Sequence, residues 1–223
     1  MRIVVAGAHG QIGLRLGRLL AARGDVVVGV VRNPAHTDDL RAGGVEPVVL
    51  DLETATVEQL SRVLDGADAA VFSAGAGADS GDARKDTVDR GAATLLARAC
   101  TLAGVSRYLL VSSVGVDSVR DGVTPEGVPD AFVAYMRAKL AAEQDLVTRP
   151  LAWTVLRPGR LTDDPGTGKV VLEAAVPRGD VTRDDVAAVI VALLDEPASV
   201  GRVLELVGGS VPLAQAVAAL ATA

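Results

Sequence analysis

An α/β fold built on a doubly wound, mostly parallel sheet is what this sequence predicts, and three observations carry the prediction. Apolar runs of strand length alternate with longer helical patterns along most of the 223 residues, as βαβ units on a parallel sheet require. Several runs are nearly continuous Val, Ile, Leu and Ala without polar alternation, the mark of strands covered by helices on both faces. The composition, 49% hydrophobic and 22% charged, is that of a chain that folds around a core. A chain of this length buries about 70% or more of the surface it exposes when unfolded, so one domain spanning 1–223 is expected to hold without staples.

Six strands are expected, in order Arg2–Ala6, Asp25–Val31, Glu46–Leu50, Ala69–Ser73, Arg107–Ser112 and Trp153–Arg157. Between the first two, Ile12–Arg23 reads as a helix closed by Gly24, and Thr87–Ala103 reads as another closed by Gly104, both glycines standing where helices take a left-handed C-terminal residue. After the second strand, Asn33-Pro34 offers an N-cap followed by proline at the first helical position, and Gly43-Gly44 ends the short helix. A helix over Ala131–Val147 precedes the sixth strand. Further on, Thr182-Arg183-Asp184-Asp185 resembles a capping box ahead of the apolar helix Val186–Leu194.

Three stretches interrupt this alternation. Ala74–Asp86 is rich in Gly, Ala and Asp, and Val114–Asp130 in Gly, Pro and Val. Both follow strands, where open α/β sheets bind their ligands. Pro158–Asp180, with a short strand expected at Lys169–Glu173, and the C-terminal segment are expected to form a small extension on the substrate side.

Several function classes are excluded at this stage. The net charge of −6 with scattered basic residues, and an aromatic content of 2%, argue against a nucleic-acid surface. No apolar stretch reaches the roughly 18 residues of a membrane span, and Met1–Val5 runs directly into a strand without the charged region of a signal peptide. Cys100 stands alone and the histidines are His9 and His36 only, so neither a disulfide nor a zinc cluster is expected, no metal is assigned, and a cytoplasmic location follows.

The sharpest motif is Gly7-Ala8-His9-Gly10-Gln11-Ile12-Gly13, between the first strand and first helix. Glycines there allow a tight turn and close approach to a pyrophosphate, and the helix N-terminus offers free N–H groups. Gly7, His9, Gly10, Gln11, Ile12 and Gly13 are therefore assigned to a dinucleotide in a Rossmann-type site. The spacing G-x-x-G-x-x-G resembles the extended and atypical branches of the short-chain dehydrogenase/reductase superfamily. The second strand ends in Val31-Arg32-Asn33, with no carboxylate to hold a ribose 2′-hydroxyl. Arg32 suits a 2′-phosphate, which makes NADP the expected cofactor and NAD the alternative; a solvated arginine at a strand end is the structural explanation for the same residue. The resemblance implies adenine and ribose contacts at Asp51, Leu52, Ser73, Ala74 and Gly75, although Asp51 would serve equally as a helix N-cap.

Tyr135-Met136-Arg137-Ala138-Lys139 lies within the helix expected over Ala131–Val147, so the phenol and the ammonium share a face. A phenol titrates near pH 10, at about that value when unperturbed, and a neighbouring cation favours its phenolate. Ser112 and Ser113 end the fifth strand, where strand capping would also account for them. Together with Tyr135 and Lys139 they resemble the Ser-Tyr-Lys constellation of the superfamily, in which Tyr is the general acid/base, Lys also binds the nicotinamide ribose and Ser orients the reacting oxygen; Ser113 is preferred over Ser112.

The resemblance extends over nearly the whole chain through Ser73-Ala74-Gly75-Ala76-Gly77, Asp89-Arg90-Gly91, Gly104-Val105-Ser106-Arg107-Tyr108, Leu156-Arg157-Pro158-Gly159 and Thr182–Ala187. These blocks are similar to those of a compact subgroup described as NAD(P)-binding, sugar-epimerase-like or NmrA-like proteins. One departure stands out: Asp89-Arg90 lies near where many active members place a structural asparagine, which implies an incomplete proton relay. The expected function is an NADP(H)-dependent oxidoreductase acting on a small carbonyl or hydroxyl compound. The alternatives are an NADP-binding redox sensor with a protein partner, a flavin or quinone reductase, and a nucleotide-sugar epimerase.

Overall fold

The first strand, β1 (Arg2–Ala6), shows why this sequence makes a sheet covered on both sides. Ile3 and Val5 enter one buried cluster, Val4 and Ala6 the other, and all four are fully buried. Side chains alternate faces along a strand, so a run that is apolar at every position needs a layer of helices on each side. The computed structural model describes residues 1–75 and 86–222. The Ala76-Gly77 end of one block named above, and most of the Ala74–Asp86 loop, lie outside the described residues.

Ten further strands follow in chain order: β2 (Val26–Val31), β3 (Glu46–Val49), β4 (Ala69–Phe72), β5 (Arg107–Val111), β6 (Ala152–Pro158), β7 (Arg160–Thr162), β8 (Lys169–Glu173), β9 (Asp180–Thr182), β10 (Arg202–Gly208) and β11 (Val211–Pro212). Nine of the eleven strands, β7 and β9 excepted, form one sheet in the order β11-β8-β10-β6-β5-β4-β1-β2-β3. The pairs from β3 through β6 to β10 are parallel, and β8 and β11 close the far edge in antiparallel pairing. This is the doubly wound Rossmann-like arrangement. Because β1 is flanked by β2 on one side and β4 on the other, the connections leave it in opposite directions, which opens a crevice at its carboxyl end.

The helices are α1 (Gln11–Arg23), α2 (Thr37–Ala42), α3 (Val57–Val63), α4 (Ala93–Ala103), α5 (Asp130–Leu146), α6 (Arg183–Leu194) and α7 (Leu213–Ala218). Leu16 and Leu20 of α1 share a cluster with Val189, Ile190 and Leu193 of α6, whereas Leu60 of α3, Leu96 of α4 and Leu146 of α5 lie in the opposite cluster. Capping follows the residues: Gly24 and Gly104 end α1 and α4 at φ +93° and +75°, Asn33 accepts from the Ala35 N–H at the start of a 3₁₀ turn over Pro34–His36, and Thr182 accepts from the Asp185 N–H. Among the described residues no helix is long and apolar enough to cross a membrane.

One expectation is corrected and two are refined. The helix expected over Thr87–Ala103 starts as a π-helix, Asp86–Ala92, and becomes α-helical at Ala93; the doubly bonded Asp86–Arg90 pair spans the widened turn, and Val88, Asp89 and Ala92 are buried along it. The strand at Lys169–Glu173 is present, but it joins the main sheet antiparallel to β10. The C-terminal segment supplies β10, β11 and α7 to the sheet edge and the first cluster and lines neither of the cavities described next.

Candidate active site

Two cavities lie along the carboxyl edge of the sheet and meet at Ala74 and Gly75. The larger, about 320 Å³, is lined by Gly7, His9 and Gly10 after β1, by Arg32, Asn33 and His36 after β2, by Asp51, Leu52 and Glu53 after β3, and by Ala74 and Gly75 after β4. The turn after β1 depends on glycine. Gly7 has φ +81°, and a Cβ there would stand 2.5 Å from the Ala74 backbone; a Cβ at Gly13 would stand 2.4 Å from the Gly7 carbonyl oxygen. Gly10 caps α1 with no side-chain hydrogen bond, so the first-turn N–H groups keep their capacity for an anion. A cradle of glycine backbone at an uncapped helix N-terminus fits the pyrophosphate of a dinucleotide.

The other predicted contacts divide. Gln11 and Gly13 line neither cavity, Gln11 accepting instead from Arg15 at 2.9 Å. Ile12 and Ser73 face the second cavity, and the Ser73 hydroxyl donates to the Ala6 carbonyl at 3.2 Å. Asp51 both lines the first cavity and caps its own turn, accepting from the Glu53 N–H at 3.0 Å. Arg32 is no free surface arginine: its guanidinium lies 2.9 Å from Glu53, whose carboxylate also accepts from Thr87 at 2.7 Å. His9 hydrogen-bonds Asp39 at 2.8 Å and stacks on His36.

The second cavity, about 170 Å³, brings together Ser112, Ser113, Tyr135 and Lys139 with Asp89, Pro158, Gly159 and Leu161. Lys139 is buried. It donates to the carbonyls of Val111 at 3.0 Å and Ala74 at 3.4 Å, and Asp89 Oδ1 stands 3.1 Å from its Nζ. A buried ammonium needs such partners, because desolvation otherwise costs several kcal/mol, roughly, per ion. Asp89, which the sequence marks as a departure from the superfamily pattern, thus touches Lys139 directly. The Tyr135 ring centroid lies 5.8 Å from Nζ and 5.6 Å from that of Phe132.

The serines differ. Ser113 is half-buried and donates to the Val114 carbonyl at 3.2 Å. Ser112 is buried, and its hydroxyl donates to Glu143. Glu143, one turn beyond Lys139, accepts two bonds from Arg157 of β6, at 3.0 and 2.6 Å, and Arg157 also pairs with Asp117. Burial alone would lower the Arg157 guanidinium; its bonds to Glu143 and Asp117 outweigh that and hold it charged. Arg157 in turn holds the Asp117 carboxyl below the usual carboxylate range. Sequence reasoning missed Glu143, Arg157, Asp117, Glu53 and His36. For Glu143 a signal was present, since Tyr135, Lys139 and Glu143 recur every four residues on one helix face.

Comparison with known proteins agrees with this fold. The sequence model of the NAD(P)H-binding family matches residues 7–197. The chain belongs to the NAD(P)H-binding family. Among the relatives of this NAD(P)H-binding protein is YhfK of Bacillus subtilis, described as an uncharacterised sugar epimerase, 34% identical over 97% of this chain and 98% of its own. A Bacillus halodurans structure provisionally named an NAD-dependent epimerase/dehydratase superposes with TM-score 0.88 at 32% identity, covering 98% of this chain and 99% of that one. ChuY of Escherichia coli O157:H7, an anaerobilin reductase, gives TM-score 0.79 at 29% identity over 93% and 97% of the two chains. The resemblance to the atypical short-chain dehydrogenase/reductase branch stands, in an oxidoreductase- and epimerase-like family that binds a nicotinamide cofactor.

Proposed function

We propose that this protein is an NADP(H)-dependent oxidoreductase acting on a small carbonyl or hydroxyl compound. The observation that carries the reading is the convergence of Tyr135, Lys139 and Ser113 on one cavity that adjoins the glycine-lined one at Ala74 and Gly75. A bound nicotinamide supplies or accepts a hydride. In the direction of reduction, the Ser113 hydroxyl donates a hydrogen bond to the substrate carbonyl, Tyr135 gives its phenolic proton to that oxygen, and Lys139 provides positive charge beside the phenolate so formed. Arg32 takes the 2′-phosphate, exchanging Glu53 for it.

The test is NADPH oxidation over a panel of ketones, aldehydes, quinones and flavins, repeated with Tyr135→Phe. Positioned proton transfer contributes about 10² to 10⁴ in rate, so the Phe variant should lose turnover by that order and keep its NADP affinity. Undiminished turnover would exclude the tyrosine mechanism and favour direct hydride transfer. Lys139→Ala is the poorer probe, since it strands Asp89 as a buried charge.

One observation favours a second reading, a cofactor-binding sensor. The Lys139 charge is opposed by Asp89 at 3.1 Å, which weakens what the lysine offers Tyr135. Tight NADP binding with no turnover on any member of the panel would support that reading.

A further inference from the structure

We infer that Arg157 is a positioning residue of the reaction: through Glu143, Asp117 and Glu205 it holds in one register the segments that set Ser113, Tyr135 and Gly159 around the second cavity. The inference rests on the oxidoreductase reading above. Arg157 is buried near the end of β6 and lines neither cavity, whereas Pro158 and Gly159, which follow it, line the second.

Three carboxylates from three elements converge on its guanidinium. Glu143 of α5 accepts from Nε at 3.0 Å and from Nη2 at 2.6 Å, and also from the Ser112 hydroxyl. Glu143 lies one turn beyond Lys139 and two beyond Tyr135 on the same face, so these contacts set the rotation of α5 against the carboxyl ends of β5 and β6. An ionised carboxylate only accepts, so the single Ser112 hydrogen is committed to it, and Ser113 remains the hydroxyl that can donate into the cavity.

Asp117, in the 3₁₀ segment Val116–Gly122 that follows Ser113, accepts from Nη1 at 2.5 Å. Val116 and Val119 of that segment pack with Val133 and Met136 of α5, and Tyr135 lies against the same cluster. Glu205 of β10 stands 3.8 Å from Nη1 and accepts from the Val176 N–H at 2.9 Å. The chain from Val176 runs on to Gly179, whose carbonyl accepts from the Arg160 N–H at 3.0 Å and would stand 2.3 Å from a Cβ on Gly159.

A buried ion cluster is a poor device for stability alone, since well-packed apolar side chains of similar volume often serve as well or better. Geometry is what this one supplies. The guanidinium fork is planar with its donors fixed in direction, so engaging Glu143 along one edge and Asp117 along another leaves α5 and the segment after β5 a single arrangement relative to β6. Lysine keeps the charge and has no such fork. Without Arg157, three carboxylates would repel one another, with only Arg120 beside Asp117 to offset them.

Single-turnover reduction tests this. Protein loaded with NADPH is mixed with the carbonyl compound that the wild type reduces fastest, and nicotinamide fluorescence is followed on the millisecond scale. The amplitude counts the sites that fold and bind; the rate constant reports how the reacting groups are set. Arg157→Lys should lower the rate constant by about 10²-fold, the scale of a displacement of about 1 Å at the reacting groups. Asp117→Ala, a change at a half-exposed side chain that leaves the Glu143 pair in place, should lower it by about 10-fold, the scale of one charge-assisted hydrogen bond. Both should keep NADPH affinity. Arg107→Lys is the control for an arginine that only supports the fold: it lies at the opposite end of β5, bonded to the Ala152 and Leu193 carbonyls, and should lower the amplitude alone. A rate constant unchanged in either Arg157→Lys or Asp117→Ala, or an equal fall in Arg107→Lys, would overturn the positioning role while leaving the oxidoreductase reading in place. Should Arg157→Lys fail to fold, Asp117→Ala decides by itself. Absence of turnover in the wild type on every carbonyl compound would overturn the oxidoreductase reading and this inference with it.

Discussion

Arg32 is half exposed, and its ion pair with Glu53 at 2.9 Å adds little stability, since exposed pairs are worth about 0–1 kcal/mol. Its value lies in what it exchanges. If a 2′-phosphate takes the place of Glu53, Arg32→Ala removes a charge-assisted contact worth about 1.5–3 kcal/mol, roughly 10- to 150-fold in affinity. The loss should fall on NADP and spare NAD. Glu53→Gln should act in the opposite direction, tightening NADP by removing a competing carboxylate. Fluorescence titration of the wild type and both variants with each cofactor checks both, and equal weakening of NADP and NAD by Arg32→Ala would mean that the side chain supports the cavity without reading the phosphate. Cys100 offers a contrast: burial pushes its thiol up to about 12, and nothing in the proposed chemistry uses it.

The turn after β1 separates fold from function within four residues. Gly7→Ala forces an L-residue to φ +81° and drives a Cβ to 2.5 Å from the Ala74 backbone. The conformation costs about 1–2 kcal/mol and the overlap about 1–3 more, so urea unfolding should show a marked loss of stability. Gly10 has an ordinary φ of −64° and its Cβ would come no closer than 3.1 Å to the Gly7 carbonyl; Gly10→Asp should therefore fold and fail to bind either dinucleotide. If Gly10→Asp binds both normally, the loop is not the pyrophosphate site. That this turn was legible from sequence follows from locality, since strand, glycines and helix are contiguous, and the same holds for Tyr135 and Lys139 four residues apart on α5. Elements that escaped notice are those with weak local pattern. In α3 only Leu60 is buried, and β10 mixes Arg202 and Glu205 into its apolar residues, where Arg202 donates to the Leu220 carbonyl and Glu205 accepts from the Val176 N–H. Partners across elements escaped as well: Asp89 reaches Lys139 over 50 positions and Arg157 reaches Asp117 over 40, and periodicity carries no information about such pairs.

Across the whole molecule, carboxylates held low by native contacts govern the response to acid. For Asp185 the largest single influence is burial, which raises its carboxyl, but the N–H groups of Thr167 and Gly168 and the hydroxyls of Thr167 and Thr182 together outweigh it and bring it below the usual range. Asp117 is lowered by Arg157 first, then by Arg120. A folded value below the unfolded one stabilises the protein above the unfolded value of about 4 and is lost as pH falls through the folded value. Urea midpoints should accordingly be flat through neutral pH and drop below about pH 4. Asp185→Asn should lower the plateau and make the acid drop shallower; an unchanged acid limb would show that Asp185 does not contribute to it. The sheet order has a temporal consequence. Ile3 of β1 pairs with Val27 on one side and Ala69 on the other, so during synthesis β1 waits for some 65 further residues, roughly, before its second edge is covered, and loop closure of that length precedes any reward from the pairing. Until β4 arrives, β1 and β2 present an apolar edge that other chains can extend, which makes synthesis rate and chaperone access, rather than equilibrium stability, the quantities that set the yield of this protein in a cell.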